Sequence, residues 1–431
     1  VKKSEEIAAA AQTTPHQAAA AKTAEAGGRL ASLDAFRGFD ILVMVFVNYI
    51  AGMKFIPFIL RHAAAEMDTY TLTDLVFPGF LFIVGVAIPL SLGKRTAAGT
   101  SLGRVLVRVA VRTVGLLFLG VIMVNQDRFS AADTGISEQL WYLLAYLAVI
   151  ALWMIYPRIE NRRRRALYLG LRLGAVLVLL VLVIIFRGRT ESGAVVWLQP
   201  QWWGILGQIG WAYLLCSLFF LGFGRSRAAL MGFLGLLIAL NAGNYLGALN
   251  FLKGTWAADM LPGVSCHTAI ALAGVIVGTW FAPYQIKQNP KSRSLFILSF
   301  GAGLYLAALL LRPIQGISKI RATQSYALAS AGLCALAFLV FYLLLDVLKI
   351  RRWSEFLKPV GMNPLLAYIL PDVVISFTWL LSKLTGFDLD RVLWPFAERG
   401  GGAGMLNALA VTGLVLLITA AATRWKIILR L

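Results

Sequence analysis

Few side chains in this sequence can exchange protons near neutral pH. Of its 431 residues only three are histidines: His16, His62 and His267. Imidazole is the side chain suited to general acid–base work at that pH. His62 lies in the stretch KFIPFILRHAAAEMDTYTLTDLVFPGF, residues 54–80, with Asp68 and Asp74 near it in sequence. A lone loop histidine is more often a solvated surface group, so its case rests on imidazole chemistry and on the scarcity of other bases. His267 is the second candidate base, against the commoner reading of a residue that merely opens a helix at an interface. The cysteines, Cys216, Cys266 and Cys334, are odd in number and far apart. They give neither a disulfide framework nor a zinc spacing, and no metal centre is expected.

Further candidates are charges in apolar company. Asp34, Arg37 and Asp40 lie within one apolar stretch that ends near Asn48. Asp34 and Arg37 stand at i, i+3, where each can neutralise the other. Arg104, Arg108 and Arg112 recur every four residues and share one helical face. Such a stripe either snorkels to headgroups or faces a cavity and grips phosphates bidentately. Asn241 and Asn244, with Trp202, Trp203 and Trp256, can hydrogen-bond and stack on a sugar. An interfacial aromatic belt would use the same tryptophans.

The elements that must position these residues follow from composition. Hydrophobic residues make up 59% and charged residues 14%, against about 45–50% and about 25% in soluble domains. That excludes a soluble globular enzyme and predicts an all-α polytopic membrane protein. Twelve spans are expected, at 33–53, 70–92, 102–124, 137–156, 166–186, 203–222, 227–247, 266–283, 292–311, 323–349, 355–382 and 404–426. Residues 1–28 form an Ala-rich tail, expected to be cytosolic and disordered, and 29–431 a single bundle. The net charge of +20 carries no nucleic-acid motif. Its basic residues fall 24 to 12 in favour of the loops on the side of the N-terminal tail. The positive-inside rule then places both termini in the cytosol and His62 on the far side.

Four collinear strings carry a resemblance. RLASLDAFRGFDILVMVFVNY (29–49), LTDLVFPGFLFIVGVAIPLSL (72–92), GILGQIGWAYLL (204–215) and VGMNPLLAYIL (360–370) resemble core helices of one family. It is the transmembrane acyltransferase family of heparan-α-glucosaminide N-acetyltransferase and its bacterial relatives. The resemblance implies a ten-helix core, with 137–186 as an inserted helix pair. It implies acetyl-CoA from the cytosol as co-substrate and an amino-sugar or glycan acceptor on the other side. The family's active histidine matches His62. Its V-N-Y asparagine matches Asn48, its second-helix aspartate Asp74, its D-x-x-R-G pair Asp34 and Arg37, and its G-V-L-Q glutamine Gln208. The family arginine after that glutamine is Ile209 here, and DMLPGVSCHT (259–268) matches its loop only loosely, placing His267 where the family usually has another residue.

From this reading His62 is the catalytic base or acetyl carrier. Asp68 or Asp74 orients its ring, and Asn48 donates to the carbonyl oxygen. Arg37, with its partner Asp34, and Arg104, Arg108, Arg112 and Gln208 are expected at the donor, and Asn241, Asn244, Trp256 and His267 at the acceptor. Membrane lipid is the surrounding partner and a homo-oligomer is allowed. A bacterial inner-membrane location is expected. Two other functions fit the outline: a secondary transporter of amino sugars, and an O-acyltransferase of an envelope glycan.

Overall fold

The computed structural model describes residues 30–157, 161–282, 289–389, 392 and 400–430. The Ala-rich tail lies outside the described residues. So do Arg158, Lys287, Arg391 and Arg399, four of the residues weighed in the loop charge balance.

Among the described residues twelve principal helices follow one another: α1 Ala31–Ile50, α2 Leu72–Ala97, α3 Leu102–Val124, α4 Glu138–Trp153, α5 Arg162–Ile185, α6 Gly204–Phe223, α7 Arg227–Tyr245, α8 Trp256–Gly278, α9 Pro290–Gln315, α10 Gln324–Tyr342, α11 Pro364–Thr385 and α12 Gly401–Arg424. Each overlaps one of the expected spans. Among the described residues ten helical segments are long and apolar enough to cross a bilayer. The protein is therefore an integral multi-pass membrane protein of all-α class. Two helices miss that standard. α4 is 16 residues long. α1 has the length but carries Asp34, Arg37 and Asp40.

Local sequence starts the helices. Ser137, Asn161, Ser226, Thr255, Asn289 and Thr323 each precede a helix and accept a hydrogen bond from a backbone N–H two or three residues on. α1 lacks such a residue of its own. Asp346, just beyond α10, accepts instead from the Ala31 and Ser32 N–H groups at 3.1 and 3.0 Å.

α2 and α8 form the centre. Nearly every residue of α8 from Ser265 onward is buried. Small residues let the two backbones touch: a Cβ on Gly85 would overlap the Ala271 carbonyl oxygen, and one on Gly274 that of Phe82. α3 closes on α6 in the same way through Gly120 and Gly207. α5, α7 and α9 lie at the periphery, with most of their surface unburied. The α4–α5 pair docks through α4 on α11, where the Tyr146 hydroxyl donates to Asp372 at 3.0 Å.

Candidate active site

The loop before α2 is folded around one carboxylate. Thr71 caps α2 in a capping box with Asp74, three residues on. Asp74 is fully buried. Its Oδ2 accepts from the backbone N–H groups of Thr71 and Ala63, both at 3.1 Å. Tyr326 of α10 donates its hydroxyl to the Asp74 carbonyl at 2.5 Å. Oδ1 is left for His62, whose Nδ1 stands 2.7 Å away. An ionised carboxylate only accepts, so this bond places the imidazole proton on Nδ1 and leaves the Nε2 lone pair free. The chain thus presents an oriented base.

Lys319 completes the cluster from the α9–α10 loop. Its Nζ lies 3.1 Å from His62 Nδ1 and 3.7 Å from Asp74 Oδ1. Burial pushes the Lys319 ammonium below its ordinary value, and the Asp74 charge opposes that shift.

Asp68 holds the loops together. Its carboxylate accepts from Arg312 Nε at 2.8 Å and from the Ile317 N–H at 2.6 Å. The Arg312 hydrogen bond holds its carboxyl below the usual carboxylate range. Ser318 and Arg321 both donate to the Ala65 carbonyl. The α9–α10 loop is thereby sewn to the His62 loop, which brings Lys319 to the imidazole. Of the two carboxylates expected to orient His62, the structure brings Asp74 to the ring. Asp68 is engaged with the other loop.

His62 opens on a cavity of about 840 Å³. Trp202, Trp203 and Trp256 line it, with Asp259, Lys319 and Arg321. His267, on α8, lines the same cavity. Its Nδ1 meets Gln208 Oε1 at 3.0 Å, and Gln208 Nε2 donates to the Trp202 carbonyl at 2.7 Å. The Phe77 ring meets the imidazole edge-on, 5.1 Å between centroids.

A second cavity, of about 390 Å³, reaches toward the other end of the bundle. Four arginines line it: Arg37, Arg95, Arg112 and Arg430. Arg37 donates to the Gly361 carbonyl at 3.2 Å and lies 3.8 Å from Asp34. Arg112 stacks over Tyr213 at 4.5 Å, and its buried Nε finds no acceptor among the described residues. Arg430 is held by pairing of the chain end with the residues after α4: Ile155 N–H donates to Ile428 O at 2.9 Å, and Arg430 N–H to Trp153 O at 3.0 Å. Ile205 lines both cavities.

Several expected site residues lie elsewhere. Arg104 and Arg108 are exposed and line neither cavity, because α3 buries Val105, Val109, Thr113 and Leu116 and turns those two arginines outward. Gln208, grouped with the donor residues by resemblance, lies in the histidine cavity. Asn48 is exposed in the last turn of α1 and does not line that cavity. The Asn241 amide donates to Pro262 O, Ser265 Oγ and Ala322 O, tying α7 to α8 and to the α9–α10 loop. Asn244 lines neither cavity.

Lys319, Asp259, Arg95 and Arg430 were not expected at a site. Lys319 carried one signal, a cation on the side where basic residues are scarce. Arg95 and Arg430 were indistinguishable from other interfacial arginines. Among the described residues no group of three or more His, Cys, Asp or Glu could hold a metal ion.

Comparison with known proteins adds the last observation. Residues 29–239 match the family model described as "Domain of unknown function (DUF5009)". A 99-residue stretch is 42% identical to heparan-alpha-glucosaminide N-acetyltransferase of Homo sapiens, covering 23% of this chain and 14% of that protein. The Mus musculus protein of the same name is 39% identical over 99 residues, with the same coverage. The match thus spans about one seventh of the length of these relatives.

Proposed function

Because the chain belongs to the transmembrane acyltransferase family of heparan-α-glucosaminide N-acetyltransferase, we propose that it is an acetyltransferase acting across the membrane. It takes an acetyl group from acetyl-CoA at the arginine cavity. It delivers that group to the amine of a glucosamine-type sugar at the histidine cavity. The arginine end faces the cytosol of a bacterial inner membrane, with both chain termini on that side.

One observation carries this reading. The His62–Asp74 pair opens on a cavity that shares Ile205 with a second cavity lined by four arginines. Anions are too costly to place in a bundle unless they are paired. Guanidinium groups grip phosphate oxygens in pairs, and the unsatisfied Arg112 Nε supports an anionic guest there. Only a narrow acyl arm then needs to pass Ile205.

At the far end His62 Nε2 serves as general base or acetyl carrier. Asp74 fixes its tautomer and stabilises the imidazolium that forms. Lys319 provides positive charge where the carbonyl oxygen becomes anionic, a role the sequence reading gave to Asn48. The tryptophans of the cavity offer faces for a sugar ring.

The test is acetyl transfer by purified protein in liposomes, with labelled acetyl-CoA and glucosamine. Labelled N-acetylglucosamine is the expected product. Movement of labelled sugar across the bilayer with no acyl donor present, and no acetylated product, would make the protein a carrier instead.

A further inference from the structure

The acceptor amine of the proposed reaction arrives as an ammonium at neutral pH. Its nitrogen carries three protons, and the amide nitrogen that leaves carries one. Two protons must come off. One ends on the sulfur of the departing thiol and the other goes to water. His62, with Nδ1 committed to Asp74, has one vacant nitrogen and holds one proton at a time.

The same cavity contains a second imidazole held in the same way. Gln208 Nε2 donates to the Trp202 carbonyl, so its Oε1 faces His267 as an acceptor. The His267 proton is thereby placed on Nδ1, as in His62. His267 Nε2 makes no hydrogen bond among the described residues, and the residue lines the cavity. The charged groups facing that cavity are Lys319 and Arg321 from the α9–α10 loop, Asp259 from α8 and His62 itself. From α6 it receives only neutral side chains.

We propose that His267 is a second catalytic base, which takes the first proton from the acceptor's ammonium while His62 takes the second. This rests on the acetyltransferase reading above. His267 Nε2 accepts a proton and leaves a free amine. The nitrogen lone pair attacks the thioester carbonyl carbon, a C–N bond forms, and the carbonyl π pair moves onto oxygen. His62 Nε2 removes the second proton from nitrogen. The oxygen pair then re-forms the carbonyl, the C–S bond breaks, and the thiolate sulfur receives the proton held by His62. His267 returns its proton to water at the cavity mouth. The acceptor class this selects is a protonated primary amine, in preference to a hydroxyl.

The experiment is the rate of acetyl transfer to glucosamine by wild type, His267→Asn and His62→Ala, each as the 431-residue chain in liposomes, across pH. Folding of each variant is checked by its thermal transition and by retention of acetyl-CoA binding. At about pH 6.5, where the amine is mostly protonated, His267→Asn should be slower by about 10²-fold. At about pH 9, where the amine is already free, the deficit should shrink to about threefold or less. A His267→Asn deficit that is the same at both pH values would overturn the proposal and leave His267 a packing residue. So would a variant as fast as wild type at the lower pH. His62→Ala separates the two levels of the account: it should be slower by about 10²-fold or more at every pH, and its activity at wild-type rate would sink the parent reading itself.

Discussion

His62 Nδ1 stands 2.7 Å from Asp74 Oδ1, and this contact, with the Ala63 N–H on Oδ2, joins the loop before α2 to the first turn of that helix. The carboxylate has two tasks. It caps α2 through Oδ2 and orients the imidazole through Oδ1.

The two tasks separate by substitution. Asp74→Asn keeps the shape of the side chain but loses the charge that favours the Nδ1–H tautomer and the imidazolium. Transfer should fall by about 10²-fold or more. Asp74→Ala keeps the Thr71 cap but removes the Asp74 half of the capping box and leaves the Ala63 and Thr71 N–H groups without their acceptor, at a cost of about 1–3 kcal/mol for a buried donor left unsatisfied. Thermal unfolding in detergent should show a lower transition for the Ala variant than for the Asn variant.

Ile205 is the common wall of the two cavities. Ile205→Trp should block the acyl arm. Transfer is then lost while acetyl-CoA still stabilises the protein thermally. Ile205→Ala should keep transfer. Equal activity in the Trp variant would place the acyl path elsewhere.

The arginine cavity makes a kinetic prediction. Arg112→Ala, Arg95→Ala and Arg430→Ala should each raise KM for acetyl-CoA, by about tenfold if each removes one charge-assisted contact of about 1.5 kcal/mol. Arg104→Ala and Arg108→Ala should leave KM nearly unchanged, since both side chains are turned outward. Steady-state kinetics on the five variants checks the division.

The Asp68–Arg312 contact gives a pH dependence. The Asp68 carboxyl is held below its unfolded value, chiefly by the Arg312 hydrogen bond. Its contribution to stability is therefore present above about pH 4 and is lost as pH falls through the depressed folded value. Protection against hydrogen exchange at residues 316–323, taken relative to the intrinsic rate at each pH, should fall on acidification, first among the loops of the histidine end. In Asp68→Asn the exchange should be fast already at neutral pH.

The all-α multi-pass class and the nearness of a carboxylate to His62 were legible from sequence, but much of the surroundings was not. Hydrophobic length located the long helices of the described residues, because lipid forces the backbone to bond within each span. The choice between Asp68 and Asp74 was also written in the chain: Thr71 followed at three residues by an acid is a capping box, and it points Asp74 back toward the preceding loop. The arginine stripe misled for a physical reason. Spacing of four fixes a shared face but not which face meets the core, and Val105, Val109 and Thr113 decided that on α3. Asn241 shows the converse, a polar group in a span used wholly for packing. Lys319 and Arg430 reach their cavities through contacts hundreds of residues apart in sequence, such as Arg321 with Ala65 and Arg430 with Trp153. No local pattern records those.

The central claim is that an acetyl group leaves a thioester at the arginine end and is received at His62. It is tested most directly by His62→Ala in sealed liposomes, with acetyl-CoA supplied only on the arginine side and glucosamine only on the other. Retained acetyl-CoA binding with transfer lowered by about 10²-fold or more is the expected result. An unchanged rate of N-acetylglucosamine formation in that variant would contradict the account.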